Sequence, residues 1–307
     1  MKPVFPITGT FIDEVTYDIP SLNWTDKQWA KDLDNMKKFG IDTVILIRGG
    51  FYDRTNYPSK IFQTYRKEED DFAGNILREA AKRGINVYVG MFISDLTWGD
   101  GNAAKELERN KLFVKETMER YGDIPSFKGW YIPHETGNDV FNICDVLRDL
   151  SALCKDTTPD KKVLISPFFY TQRMVKEGYL SPEQYEEEWN KIFDKCGKNL
   201  DYCAIQDSTA PFELMPAYFA GAKRACDAHG IQLWQNAELI DRYVTSTFYA
   251  TPFEILKRRL EVVKPYVQKV ICFEYSHFMS PQSMFISARN LGNRYYNYYK
   301  NNGKLSR

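Results

Sequence analysis

The sequence predicts a TIM (β/α)8 barrel, in the α/β class, formed by a single domain of residues 1–307. Eight short apolar segments alternate with amphipathic, helix-like segments, and their first residues lie about 30 to 45 residues apart. The apolar segments are mostly continuous rather than alternating, which is typical of parallel strands buried on both faces. The length of 307 residues also suits this fold.

The eight predicted strands are rich in β-branched and aromatic residues. In order they are Val4–Ile12, Asp42–Gly50, Asn86–Ser94, Gly129–Glu135, Lys162–Tyr170, Leu200–Ser208, Ile231–Leu239 and Lys269–His277. A doubly wound open sheet is the alternative arrangement. That fold usually has fewer strands and often a glycine-rich phosphate loop after the first one, and "PITGTFIDE" does not match such a loop. The pattern therefore favours the barrel.

The segments between the strands carry signals for helix starts and ends. Helices are predicted to begin at Thr25, at Ser181 followed by Pro182, at Thr251 followed by Pro252, and at Ser280 followed by Pro281. Predicted C-termini fall at Gly40, Gly84 and Gly197. Each helix would return the chain to the start of the next parallel strand.

Composition excludes several functional classes. Basic and acidic residues are equal at 41 each, so no global field attracts nucleic acid or an anionic membrane. No segment approaches 18 apolar residues, so we predict no membrane span. The N-terminus lacks a signal peptide, and the protein is expected in the periplasm or outside the cell if one was removed, otherwise in the cytoplasm. The six cysteines form no C-x-x-C pair and are predicted to be free, buried thiols.

In a TIM barrel the chemistry lies at the C-terminal ends of the strands. The side chains predicted there are acidic, amide-bearing or aromatic, with two histidines and one arginine: Asp13, Arg48, Trp98, His134, Glu135, Tyr170, Gln206, Asp207, Trp234, Asn236, Glu238, Glu274 and His277. No strand interior holds the lysine of a Schiff-base aldolase, and the last two loops lack the glycines of a phosphate site. Carboxylates among aromatic faces suit glycoside hydrolysis, with the other side chains as substrate ligands.

Two segments, "GWYIPHE" and "LWQNAE", resemble the clan-A (β/α)8 glycoside hydrolases. The resemblance implies that Glu135 is the acid/base and Glu238 the ionised nucleophile. It also implies retention of configuration, with carboxyl groups about 5–5.5 Å apart. The whole chain resembles an uncharacterised bacterial TIM-barrel family, a domain of unknown function assumed to be glycosidase-like, through "WYIPHE", "AIQDS" and "CFEYSHFMSP". The expected role is in carbohydrate metabolism, as in polysaccharide degradation.

The chain departs from the clan-A pattern at two positions. His134 stands where those enzymes typically have an asparagine that binds the sugar 2-hydroxyl. Glu274 stands where many of them have a tryptophan, so Glu274 is a rival to Glu238 as nucleophile or a ligand for hydroxyl groups. The expected partner remains an oligo- or polysaccharide.

Other interpretations stay open at this stage. Glu135 could simply be a helix N-terminal charge, and Arg48 is expected to pair with a rim carboxylate. His134, Glu135, Asp207 and His277 could gather a metal ion, although no H-x-H or H-E-x-x-H motif is present. No G-x-S-x-G motif supports a serine hydrolase, and we predict no cofactor. A non-catalytic carbohydrate-binding barrel is the main alternative.

Overall fold

The protein folds as a closed barrel of eight parallel strands, as predicted. The computed structural model describes residues 5–15, 24–52, 54–62, 70–94, 103–138, 142–242 and 248–301. The barrel strands are β1 Gly9–Ile12, β2 Thr43–Leu46, β3 Asn86–Gly90, β4 Phe127–Ile132, β5 Lys162–Ile165, β6 Tyr202–Gln206, β7 Gln232–Glu238 and β8 Lys269–Phe273. Each strand pairs with its neighbours in sequence, and β8 pairs with β1 to close the ring.

Helices follow the strands and surround the barrel. Within the described residues they are α1 Asp26–Lys38, α2 Phe72–Arg83, α3 Ala103–Tyr121, α4 Ile143–Thr157, α5 Pro182–Cys196, α6 Met215–Ala228, α7 Phe253–Val263, the short α8 Tyr275–Phe278 and α9 Ile286–Asn301. Two small sheets lie beside the barrel. One is formed by Gly50–Phe51, Arg54–Thr55 and Phe92–Ile93, the other by Ile240–Arg242 and Phe248–Ala250.

Several predicted helix caps are confirmed. Thr25 and Ser181 each form a capping box, in which the hydroxyl accepts from the backbone of the residue three positions on and that residue's glutamine side chain reaches back. Gly84 ends α2 with a left-handed φ of 64°, a conformation that costs glycine little. These local signals are read correctly because each depends on residues only three or four positions apart.

Two predicted helix starts and several predicted strand ends, among them that of β8, are wrong. Pro252, not Thr251, caps α7, and no side chain there accepts a capping hydrogen bond. Ser280 does not start the last helix, because its hydroxyl donates to buried Asp32 and α9 begins only at Ile286. The eighth strand stops at Phe273, since Glu274 caps the helical turn α8 instead of continuing the strand.

Alternation along the strands separates two apolar layers. One set of side chains fills the barrel interior: Phe11, Ile45, Ile47, Tyr88, Tyr131, Leu164, Ala204, Trp234 and Ile271. The intervening residues point outward and pack against the helices. This alternation decides which strand-end residues can reach the mouth of the barrel. All six cysteines are free and buried, which confirms that prediction.

Candidate active site

Glu135 and Glu238 line one cavity at the C-terminal end of the barrel. Its volume is about 450 Å³, within the range of small-molecule binding sites. Phe168, Arg173 and Gln206 contribute to the same wall. The structure thus brings together the two glutamates that the sequence singled out, with an aromatic ring and an amide beside them.

The two carboxyl groups reach the cavity from the ends of two strands, β4 and β7. Trp234 and Tyr131 belong to the inward-facing cluster. Glu238 lies four residues after Trp234, and Glu135 lies four residues after Tyr131. Side chains alternate with a period of two along β7, so an even offset keeps Glu238 on the inner face. Glu135 lies three residues past the end of β4 and reaches the cavity from there. The hydroxyl of Tyr131 donates to Glu135 Oε1 at 3.3 Å, which ties the carboxyl group to the barrel interior.

Glu135 is not a charge placed at a helix start. The following helix, α4, begins at Ile143 and is capped by Asn142, so Glu135 lies well outside its first turn. Burial raises the pKa of Tyr131 well above its ordinary value, and this phenol therefore stays protonated as a hydrogen-bond donor. Glu135 is held by a contact inside the barrel, as a functional side chain would be.

Glu238 is held in an environment that disfavours its charged form. Its Oε2 is buried and accepts no hydrogen bond within the described part of the chain. Burial and, to a smaller degree, the Asp207 carboxylate raise the pKa of Glu238 to about 8, and Arg259 opposes the shift. A pKa of about 8 favours the protonated form of Glu238 in the free protein at neutral pH, contrary to the expectation that this residue is ionised.

Asp207 supports Glu238 from outside the barrel. Asp207 Oδ1 accepts from the Glu238 backbone N–H at 3.2 Å, and Gln235 Nε2 donates to Asp207 Oδ2 at 2.7 Å. Arg259 lies 3.8 Å from Asp207 Oδ1 and donates to the Glu238 carbonyl at 3.1 Å. Asp207 is fully buried and forms no part of the cavity wall, unlike its neighbour Gln206. Its predicted role as a substrate ligand does not fit this placement.

His134 also points away from the cavity. Its Nε2 lies 3.2 Å from Glu106 Oε2 on α3, and Glu106 accepts from the Ser94 backbone N–H at 3.1 Å. His134 lies one residue before Glu135, also past the end of β4, and its ring contacts α3 instead of the cavity. The predicted substrate contact of His134 is therefore replaced by a structural one that links the ends of β3 and β4 to α3. Glu106 gave no signal in the sequence, because it resembles any polar residue of an amphipathic helix.

Glu274 is not placed to compete with Glu238. It is completely buried, caps α8 through the backbone N–H groups of Ser276 and His277 at 3.0 and 2.9 Å, and contacts His277 Nδ1. Burial lowers the pKa of His277, but the carboxylates of Glu274, Asp13 and Asp32 together leave that pKa above its ordinary value. Glu274 and His277 form a buried pair outside the cavity wall, rather than the substrate ligands that were predicted.

Asp13 and Arg48 face each other at the ends of β1 and β2. Arg48 Nη1 lies 3.9 Å from Asp13 Oδ2, which confirms that Arg48 pairs with a rim carboxylate. The Arg48 guanidinium also lies 5.0 Å from the centre of the Phe51 ring. Asp13 Oδ1 accepts from the Val15 backbone N–H at 2.9 Å. Neither side chain lines the cavity that holds the two glutamates.

Two residues of β7 lie below the cavity. Trp234 stacks on Tyr202, with ring centres 4.2 Å apart, and Tyr202 is the first residue of β6. The indole is thus near the N-terminal end of the barrel and cannot be a platform for substrate, as was predicted. Asn236 is buried and donates to Ser166 Oγ at 3.0 Å, one inward position below Glu238.

After β5, the aromatic residue that lines the cavity is Phe168, not the predicted Tyr170. Gln206 lines the cavity as predicted, and its amide donates to the Ser166 carbonyl at 3.0 Å.

Trp98, the remaining predicted ligand, lies outside the described residues. Arg173 was missed because it follows the end of β5 by eight residues and no periodic pattern points to it.

Other kinds of site receive no support from the described ranges. Within them, no group of three or more His, Cys, Asp or Glu side chains could hold a metal ion. Among the helices of the same ranges, none is long and apolar enough to cross a membrane.

The chain belongs to the family described as Domain of unknown function (DUF4434), which matches residues 7–285. A Bacteroides thetaiotaomicron protein provisionally named an alpha-L-fucosidase is 36% identical, with 97% of this chain and 96% of that chain covered and a TM-score of 0.92. No curated protein matches the chain significantly.

More distant solved structures share the fold. An intracellular xylanase of Thermoanaerobacterium saccharolyticum has a TM-score of 0.55 at 12% identity, covering 88% of this chain and 85% of that one. An endo-1,4-beta-D-mannanase of Thermotoga petrophila has a TM-score of 0.58 at 11% identity, covering 95% and 99%. The protein is thus a barrel of the kind found in glycoside hydrolases.

Proposed function

We propose that the protein is a retaining glycoside hydrolase that acts on an oligo- or polysaccharide. The observation that carries the proposal is the cavity shared by Glu135, at the end of β4, and Glu238, at the end of β7. Two carboxyl groups across a cleft are the apparatus of glycoside hydrolysis. The Phe168 ring offers an apolar face for a pyranose, and Gln206 offers an amide for its hydroxyl groups.

In this mechanism Glu135 is the acid/base and Glu238 the nucleophile. Glu135 donates its proton to the glycosidic oxygen while Glu238 attacks the anomeric carbon, which forms a covalent glycosyl-enzyme and releases the leaving sugar. A water molecule, deprotonated by Glu135, then attacks the same carbon and frees Glu238. Two displacements restore the original configuration. A carboxyl separation of about 5–5.5 Å is expected for this pair.

The two roles depend on which of the two glutamates carries a proton in the free protein. With the pKa of Glu238 raised to about 8, that residue holds a proton at neutral pH in the free protein. The proposed reaction needs this proton on Glu135 instead. Positive charge that develops at the anomeric carbon would stabilise ionised Glu238 and favour the transfer. The raised pKa also favours a second assignment, in which Glu238 is the acid and Glu135 the nucleophile.

Turnover of a glycan panel tests the proposal. Wild type is expected to cleave a member of the panel with retention, read by ¹H NMR of the first product formed. Glu135→Gln and Glu238→Gln are each expected to lose at least about a hundredfold in kcat/KM, because each removes a proton-transfer or nucleophilic group. Glu213→Gln, an exposed carboxylate outside the cavity, is the matched control and should keep wild-type activity.

Two results would contradict the proposal. Near-wild-type activity in either glutamine variant removes that residue from the mechanism. Binding without cleavage across the whole panel favours the non-catalytic carbohydrate-binding barrel.

Glu106 is expected to be a positioning residue for Glu135. Glu106→Gln weakens the contacts to His134 and to the Ser94 backbone, so the end of β4 should shift. We expect kcat to fall on the order of tenfold with KM within about twofold, because misplacing a reacting group affects the chemical step more than binding. Glu108→Gln is the matched control, since Glu108 is exposed on the same helix and pairs with Lys111. An equal loss in both variants, or a loss confined to KM, contradicts this role.

A further inference from the structure

A second cavity adjoins the one that holds the glutamates. Its volume is about 260 Å³, and it shares Arg173 and Asp241 with the first cavity. The rest of its wall is formed by Ala210, Phe212, Met215, Ile255, Arg258 and Arg259. A sugar chain bound across the two glutamates could therefore continue into this space without leaving the protein surface.

The charge of this second cavity is unusual for a protein with balanced charge. Three arginines and one aspartate, Asp241, line it. Arg259 is buried and engaged with Asp207 and the Glu238 carbonyl. Arg173 and Arg258 are exposed, and neither forms an ion pair with a carboxylate in the described part of the chain. Two guanidinium groups are thus available to a ligand at the edge of the proposed active site.

The two available arginines are held over apolar or backbone surface rather than by acidic groups. The Arg258 guanidinium lies 4.4 Å from the centre of the Phe212 ring, and Arg173 Nη1 lies 3.5 Å from the Ala210 carbonyl. Stacking on a ring orients the planar guanidinium while leaving its edge donors open. Such donors match the paired oxygens of a carboxylate or sulfate group.

We propose that the second cavity binds an anionic sugar residue of the substrate, either a uronic acid or a sulfated sugar, next to the bond that is cleaved. This inference rests on the proposed glycosidase function and names its substrate class. Arg173 and Arg258 bind the anionic group, and Phe212 offers an apolar surface to the ring. Asp241 faces both cavities and repels an anion, but the two available arginines exceed its charge.

Binding to a catalytically disabled variant tests the inference. Glu135→Gln serves as the host, and calorimetry compares tetragalacturonate and a sulfated chondroitin tetrasaccharide with neutral xylotetraose and mannotetraose. We expect at least one anionic glycan to bind about tenfold or more tightly than both neutral ones, with a preference that shrinks as NaCl rises. The uronate and the sulfated sugar are separate arms, so the result also tells which anionic group is recognised.

Arginine variants locate the effect. Adding Arg173→Gln and Arg258→Gln to the host should abolish the preference for the anionic glycan, so that anionic and neutral glycans bind with similar affinity. Arg148→Gln, an exposed arginine on α4 that pairs with Asp145 and Asp149, is the matched control. The inference is overturned if neutral and anionic glycans bind equally, or if the preference survives loss of both arginines.

The outcome separates this inference from the proposed function. If wild type cleaves neutral glycans through Glu135 and Glu238 and the arginines have no effect, only the inference fails. If anionic glycans bind through the arginines but wild type cleaves none of the panel, only the hydrolase proposal fails.

Discussion

Glu238→Ala is expected to lose at least about a thousandfold in kcat/KM on an activated aryl glycoside, and added azide should restore part of the loss. Removing the side chain leaves a space in the cavity beside the anomeric carbon, which a small anion can occupy. Azide then attacks in a single displacement, because the enzyme nucleophile is gone. The product should be a glycosyl azide of inverted configuration, identified by ¹H NMR.

Glu135→Ala should respond differently to the same anion. An activated leaving group needs little protonation, so the glycosyl-enzyme on Glu238 still forms. Azide replaces water in the second displacement and does not need a base. The product should therefore be a glycosyl azide of retained configuration, and the two variants together assign the roles of the two glutamates.

The rescue experiment also decides between the two role assignments. If Glu135→Ala gives the inverted azide and Glu238→Ala the retained one, the roles are reversed, as the raised pKa of Glu238 would allow. Glu274→Ala is a useful control, since Glu274 is a buried carboxylate outside the cavity wall. Its loss should lower stability, and azide should not restore activity. Rescue of Glu274→Ala would instead make Glu274 the nucleophile.

The eight strands could be predicted because each is a short apolar segment between polar ones. Their ends could not, since apolar residues continue past the last ladder hydrogen bond. Phe92–Ile93 follows β3 and is equally apolar, yet it pairs with Gly50–Phe51 in a separate sheet. The residues after β8 form a helical turn because Glu274 accepts from two backbone N–H groups. The first ending depends on pairing between distant segments and the second on a buried glutamate that caps a helical turn, and an apolar strand pattern shows neither.

The predicted site residues include two pairs of sequence neighbours, and the structure separates both pairs. Glu135 faces the cavity while His134 faces α3, and Gln206 lines the wall while Asp207 lies beneath Arg259. One residue along a strand reverses the face. Because barrel strands are apolar on both faces, the sequence has no alternation from which the inward face could be read.

Glu238→Gln is expected to stabilise the protein at alkaline pH while it removes activity. The folded protein holds the Glu238 proton up to a pKa of about 8, whereas an unfolded chain releases it near the ordinary value of 4.5. Between these values the unfolded state binds fewer protons, so the free energy of unfolding of the wild type falls as pH rises and levels off above about pH 8. A glutamine at this position does not titrate, so the variant does not lose this part of the free energy of unfolding as the pH rises.

The measurement is the melting temperature of both proteins between pH 5 and pH 9. The difference in melting temperature should be small at pH 5 and grow to about 2–6 °C in favour of Glu238→Gln at pH 9. This corresponds to a difference of about 1–3 kcal/mol in the free energy of unfolding, which is less than the full pKa shift implies because solvent reaches Glu238 from the open side of the cavity. Glu135→Gln is the control, because Glu135 raises the pKa of Glu238 less than burial and Asp207 do. It should show a smaller change with the same sign. Parallel curves for wild type and Glu238→Gln would mean that Glu238 is ionised throughout this range, and the nucleophile would then need no proton transfer before the first displacement.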